Sequence, residues 1–114
     1  MLKNCIDTNN YEKLKIIFTE KQRENKSLKH PELREKGFIK RIKTAVENPS
    51  FIYEDLAKKG RLLYYKYEYS LNGRDRYTKV VVKKQKRYLF IITAYRPDFV
   101  KERGKTRLIY GEDN

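Results

Sequence analysis

The chain has 114 residues, 28 Lys and Arg against 15 Asp and Glu, and a formal net charge of +13 at pH 7. That length predicts one domain over residues 1–114, with its core in residues 13–97, because two smaller units would each bury too little apolar surface to stand alone. A single Cys and a single His exclude an internal disulfide, a cysteine-based zinc site and a classical zinc hydrolase centre, and no cofactor is implied.

The hydrophobic fraction is 39%, low for a globular domain. Leu, Ile, Val, Phe and the ten tyrosines nevertheless gather into periodic runs, which predicts a folded domain with a wet, basic surface and not a disordered chain. Met1 to Asp7 is too short and polar for a signal peptide. No stretch approaches the roughly 18 apolar residues of a membrane span. The expectation is a cytoplasmic protein with no membrane partner.

Residues Met1 to Asn10 carry weak signals, and Asp7-Thr8-Asn9-Asn10 reads as a turn. Lys13 to Phe18 is rich in β-formers and predicts a first strand. Glu20 to Lys29 is polar throughout, either a short solvated helix or an ordered loop leading to His30-Pro31. Pro31 suits a first helical turn, where a missing amide costs nothing. Phe38, Ile42, Ala45 and Val46 then form one apolar face, predicting a main helix. Gly37 divides a short helix, Pro31 to Lys36, from it, and Asn48-Pro49-Ser50 ends it.

Phe51 to Tyr53 is a short strand candidate, and Lys58-Lys59-Gly60 a turn. Leu62 to Ser70 alternates from Tyr65 onward, and Asn72-Gly73 is a strong two-residue turn signal. Tyr77 to Val82 and Tyr88 to Thr93 are nearly continuous β-branched and aromatic runs, which suits the middle of a sheet. Together they predict a three-stranded antiparallel meander. Asp98 to Gly104 reads as one helical turn, and Thr106 to Tyr110 as an edge strand. The fold class expected is α+β: one main helix, with a short preceding helix, packed on an antiparallel sheet that ends in the meander.

Between Arg61 and Arg107 there are 14 Lys and Arg against 4 Asp and Glu. A basic half of this kind steers polyanions, and nucleic acid is the commonest. An acidic protein or membrane surface would use the same charge, and the plain alternative is that Lys and Arg merely line solvated strand faces. His30 has the one side chain whose ordinary pKa suits proton transfer near neutrality; as a lone histidine before a helix it could equally be a capping or surface residue. Thr93, Tyr95 and Arg96 close a predicted central strand, with Arg96 held extended by Pro97 and its guanidinium suited to phosphate. Tyr64, Tyr65, Tyr67, Tyr69, Tyr77 and Tyr88 interleave with Lys66, Arg74, Arg76, Lys79 and Arg87. That mixture predicts a stacking-plus-phosphate surface for single-stranded RNA, or simple cross-strand pairing. The aromatic-glycine pattern of an RNA-recognition motif is absent.

The order of Thr19, Leu28-Lys29-His30-Pro31-Glu32, Glu47-Asn48-Pro49-Ser50-Phe51-Ile52, Tyr64-Tyr65-Lys66, Lys79-Val80-Val81-Val82 and Tyr88 to Tyr95 resembles the phage-associated nuclease-like domains of the barnase, EndoU, colicin and RelE class. The resemblance spans Lys15 to Pro97. It implies a helix-plus-sheet fold and metal-independent, toxin-like ribonuclease activity on tRNA, mRNA or rRNA, with an acidic antitoxin or immunity protein as a further partner. The matching positions are His30, Asn48, Pro49, Thr93 and Tyr95, with Lys66 and Lys79 as basic positions on strands. Where a second histidine is expected, this chain has Arg23-Glu24-Asn25-Lys26. Three readings follow: a one-histidine mechanism, a site leaning on Lys, Arg and Tyr, or a domain that binds RNA without cutting it. On the nuclease reading His30 is the base or acid and Tyr95 or Lys79 its counterpart. Arg96, Lys66 and Arg41 stabilise charge, and Thr93 orients the phosphate or His30.

Overall fold

The computed structural model of the protein describes residues 3–97, 100 and 105–112. Among these the elements run β1 (Asn4–Asn9), β2 (Lys15–Thr19), α1 (Glu20–Ser27), a 3-10 helix (Pro31–Arg34) and α2 (Lys36–Glu47). There follow β3 (Phe51–Asp55), β4 (Arg61–Leu71), β5 (Arg74–Lys84), β6 (Leu89–Tyr95) and β7 (Thr106–Gly111). The helical turn expected from Asp98 to Gly104 falls, Val100 apart, outside the described residues.

The strands form one sheet in the order β1-β2-β6-β5-β4-β3-β7. The expected antiparallel sheet is corrected by one pairing: β2 runs parallel to β6, with Ile16 opposite Leu89 and Ile17 opposite Phe90, so the sheet is mixed. The single main helix is corrected too. α1 is a full eight-residue helix, while Pro31–Arg34 is a 3-10 turn. α1 has no apolar stripe, so its ends and its contacts hold it. The Thr19 hydroxyl caps the Gln22 amide, Glu20 sits in the first turn and Lys26 in the last, each sign matched to the helix dipole. Asp7 to Asn9, expected in a turn, instead extend along β2, because Ile6 reaches the core beside Phe18.

α2 forms as its spacing dictates. Phe38, Ile42, Ala45 and Val46 are wholly buried against Ile52, Tyr64, Val80 and Val82 on one sheet face. The helix ends at Asn48, whose amide still bonds Thr44. The sheet curls around α2 far enough that Tyr11, just after β1, packs on Tyr110 of the opposite edge, ring centres 4.4 Å apart. The other face carries a smaller cluster of Phe51, Leu63 and Tyr65, bordered by Tyr53, Tyr77, Val81 and Val100. Asn72 (φ 53°) and Gly73 (φ 76°) make the tight β4–β5 turn. That hairpin outruns β6: Tyr95 pairs with Lys79, and β5 continues to Arg74 beyond it. The overhang and the end of β6 define the region of interest.

Candidate functional site

Three segments distant in sequence bring His30, Tyr95 and Lys79 together. His30 sits at the junction of α1 and the 3-10 helix, where its amide donates to the Lys26 carbonyl at 2.9 Å and its own carbonyl accepts from Leu33 at 3.0 Å. Its imidazole stacks on the Tyr95 ring, 4.5 Å between centres and 8° from parallel. Lys79 lies directly across from Tyr95 in the sheet. Its ammonium is 5.5 Å from the Tyr95 ring centre and 5.3 Å from that of Tyr65. Aromatic faces attract a cation at this range, and Lys79 is only 9% exposed. Burial lowers the His30 pKa below its ordinary value, with Lys29 and Lys26 adding to the shift and Glu32 opposing it. At neutral pH the imidazole is therefore neutral and can accept a proton.

Thr93 shares this face, opposite Val81, and its buried hydroxyl has no hydrogen-bond partner among the described residues. Gln22 of α1 clasps the same strand, donating from Nε2 to the Ile92 carbonyl at 2.7 Å. Arg96 parts from this group. Alternation along an extended chain turns it to the opposite face, where its guanidinium lies 4.5 Å from the Phe38 ring centre. Its amide donates to Glu32 at 3.2 Å and its Nη1 to Glu35 at 3.4 Å. The five residues expected to act at one point are thus divided by the sheet.

On the α2 side, Arg96 and Pro97 join Arg41, Arg76, Glu68, Tyr69, Leu71, Tyr77 and Thr78 around a cavity of about 410 Å³ beneath the hairpin overhang. Glu68 holds Arg41 there, accepting from Nη1 at 2.6 Å and from the Thr78 hydroxyl at 3.0 Å. Glu68 and Phe38 therefore position cations at this cavity, a role that charge counting alone passes over.

The remaining expected residues are spread more widely. Tyr65 is wholly buried and stacked on Phe51, 5.0 Å between centres, so its ring offers no face to a base. Tyr67 is 44% exposed, its ring edge-on to Tyr77 and its hydroxyl 2.9 Å from that of Ser70. Lys66 pairs with Thr78 across the β4–β5 ladder, and Arg74 lies at that hairpin's tip. Arg87 lies in the β5–β6 turn, at the other end of β6 from Tyr95. Asn48 and Pro49 follow the far end of α2, about 18 Å from its start at 1.5 Å per residue. They connect the helix to β3 and take no part in the His30 cluster.

A second cavity of about 470 Å³ lies between α1, α2 and β1, lined by Cys5, Glu20, Arg23, Arg34, Lys36, Ile39 and Lys40. Burial, with the nearby Glu20 carboxylate, pushes the Cys5 thiol up to about 11, so it stays protonated and unreactive. Among the described residues no three of His, Cys, Asp and Glu converge as metal ligands, and no helix is long and apolar enough to cross a membrane. Comparisons with protein-family models, curated proteins and solved structures find no match to this chain.

Proposed function

We propose that this protein is a small endoribonuclease that cleaves RNA through its ribose 2′-hydroxyl, without a metal in the chemical step. The observation that carries the reading is the convergence of His30, Tyr95 and Lys79 from three separate segments onto one face of a basic chain. Neutral His30 takes the 2′-hydroxyl proton as that oxygen attacks phosphorus. The 5′-oxygen departs with a proton from the Tyr95 phenol, acting as general acid. The Lys79 ammonium stabilises charge that builds on the non-bridging oxygens. The product is a 2′,3′-cyclic phosphate. Stacking on Tyr95 fixes the imidazole plane, so little ordering remains to be done when substrate arrives. An RNA substrate places the working compartment in the cytoplasm.

A second reading, an RNA-binding module without cleavage, has its own support. Tyr67 and Tyr69 stand 44% and 49% exposed on the basic β4–β5 ribbon, where bases could stack. Incubation of labelled RNA with the protein in excess EDTA, beside His30→Ala, separates the two. The nuclease reading expects cleavage that falls roughly 10²- to 10⁴-fold in the variant, with RNA affinity little changed. Tight binding with every RNA left intact would favour the binding module.

A further inference from the structure

At the end of the sheet away from the hairpin overhang, the β3–β4 loop meets the β5–β6 turn. Over residues 56–61 and 83–88, seven of twelve side chains are Lys or Arg and none is Asp or Glu. We infer that this end is a second RNA-binding surface, which grips the phosphodiester backbone of the substrate away from the bond that is cut. The inference rests on the RNA reading above.

The two loops are tied together before any ligand arrives. The Lys84 amide donates to the Gly60 carbonyl at 2.8 Å, and the Gln85 amide to the Tyr88 carbonyl at 2.9 Å. Asp55, the acid that precedes the first loop, is turned to the backbone, its Oδ1 accepting from the amides of Ala57 and Lys58 at 2.9 and 3.1 Å. Arg61 and Lys83 stand directly opposite each other in the β4–β5 ladder, an arrangement of like charges that destabilises a sheet. Among the described residues none of the seven cations has a carboxylate partner. A polyanion laid between them turns that repulsion into attraction.

The side chains present suit a phosphate backbone better than bases or lipid. Tyr88 is the one aromatic residue of the twelve and is 37% exposed, so successive bases have no platform to stack on. Leu56, 54% exposed, is the one large aliphatic side chain among them. That is little apolar surface for a bilayer, where binding grows with the apolar area buried. Alternation places Lys83 on the sheet face of Lys79, which faces Tyr95 across the ladder. The two lysines are four residues apart on β5, about 14 Å at roughly 3.4 Å per residue. The surface therefore lies on the same side of the sheet as the cleavage cluster.

Each phosphate contact on a single strand adds about 0.7 to the log–log salt slope, or about fivefold in affinity at 0.1 M salt relative to 1 M. The test is titration of isotopically labelled protein, followed by amide NMR, with a 2′-O-methyl RNA decamer that cannot be cut. The decamer should shift the amides of Lys59, Lys84, Lys86 and Arg87. Lys59→Gln/Lys86→Gln/Arg87→Gln should weaken its binding about 100-fold and flatten the salt slope by about 2. Lys83→Gln should weaken it about fivefold while leaving Tm unchanged or a few degrees higher, because the repulsion with Arg61 is gone. Decamer affinity unchanged in both variants, or shifts confined to the His30 end, would overturn the surface and leave the cleavage reading intact. Inorganic phosphate that saturates the same amides at micromolar concentration would assign a small-anion site instead. Phosphatidylserine vesicles that hold the protein more tightly than the decamer does, and release the triple variant, would assign a membrane surface. Decamer binding that depends on these loops in a protein that cuts no RNA would uphold the surface and refute the cleavage reading.

Discussion

Asn10 is the most consequential polar residue outside the candidate site. Its side chain is 5% exposed for the residue as a whole and engaged at both ends. Oδ1 accepts from the amides of Glu12 and Leu14, both at 2.9 Å, and Nδ2 donates to the Tyr64 hydroxyl at 3.0 Å. Asn10→Ala removes all three bonds. The Tyr64 hydroxyl is then left buried without this partner, at about 1–3 kcal/mol. The two turn amides can recover water, at about 0.5–1 kcal/mol each. The total is about 3 kcal/mol, or a fall in Tm of about 12 °C or more for a domain of this size. Asn10→Asp keeps the acceptor for both amides and lets the Tyr64 hydroxyl donate instead, so it should lose less than half as much. Thermal denaturation followed by circular dichroism measures both variants. An alanine variant within 3 °C of the parent, or an aspartate variant as damaged as alanine, would refute the reasoning.

Lys13 holds φ at 65°, a conformation that costs a side-chain-bearing residue about 1 kcal/mol; Lys13→Gly should therefore leave Tm unchanged or raise it by a few degrees, and a fall would contradict this. The His30 pKa is lowered in the fold, so below about 6.5 the unfolded chain binds the extra proton first; His30's contribution to stability is present above that pH and lost as pH falls. By the same sign, kcat/KM should rise with pH to a plateau through a midpoint below 6.5, and the residual activity of His30→Ala should lack that limb. RNA affinity should fall with salt at a log–log slope of about −3, given roughly four phosphate contacts on a single strand; affinity unchanged between about 50 and 200 mM salt would remove the electrostatic basis of the proposal.

What the sequence made legible was local. Phe38, Ile42, Ala45 and Val46 recur at helical spacing, and α2 buries all four. Asn72-Gly73 can adopt positive φ, and the hairpin turns there. Missed features depended on distant partners. The parallel register of Ile16 with Leu89 joins residues more than seventy positions apart and leaves no periodic trace. β1 offers only Ile6 to the core, so its Asp, Thr and Asn residues resemble a turn until β2 pairs with them. α1 did leave a sign in Thr19-x-x-Gln22, the spacing of a capping box, which a search for apolar stripes overlooks. In the candidate site, the chemistry of His30, Tyr95 and Lys79 is legible from residue type alone, and the three side chains meet around the Tyr95 ring. Alternation separates Arg96 from Tyr95, since neighbours on a strand face opposite ways.

The central claim is that the 2′-hydroxyl is the nucleophile, and the chemistry of the cut ends tests it most directly. A short RNA and its counterpart carrying a single 2′-deoxy nucleotide at the cleaved position are incubated with the protein in EDTA, and the fragments are weighed by mass spectrometry. The account predicts that the RNA yields a 2′,3′-cyclic phosphate on the upstream fragment and a 5′-hydroxyl on the downstream one, while the deoxy substrate binds and stays whole at that position. A 5′-phosphate on the downstream fragment, or cleavage of the deoxy substrate at the same bond, would contradict it.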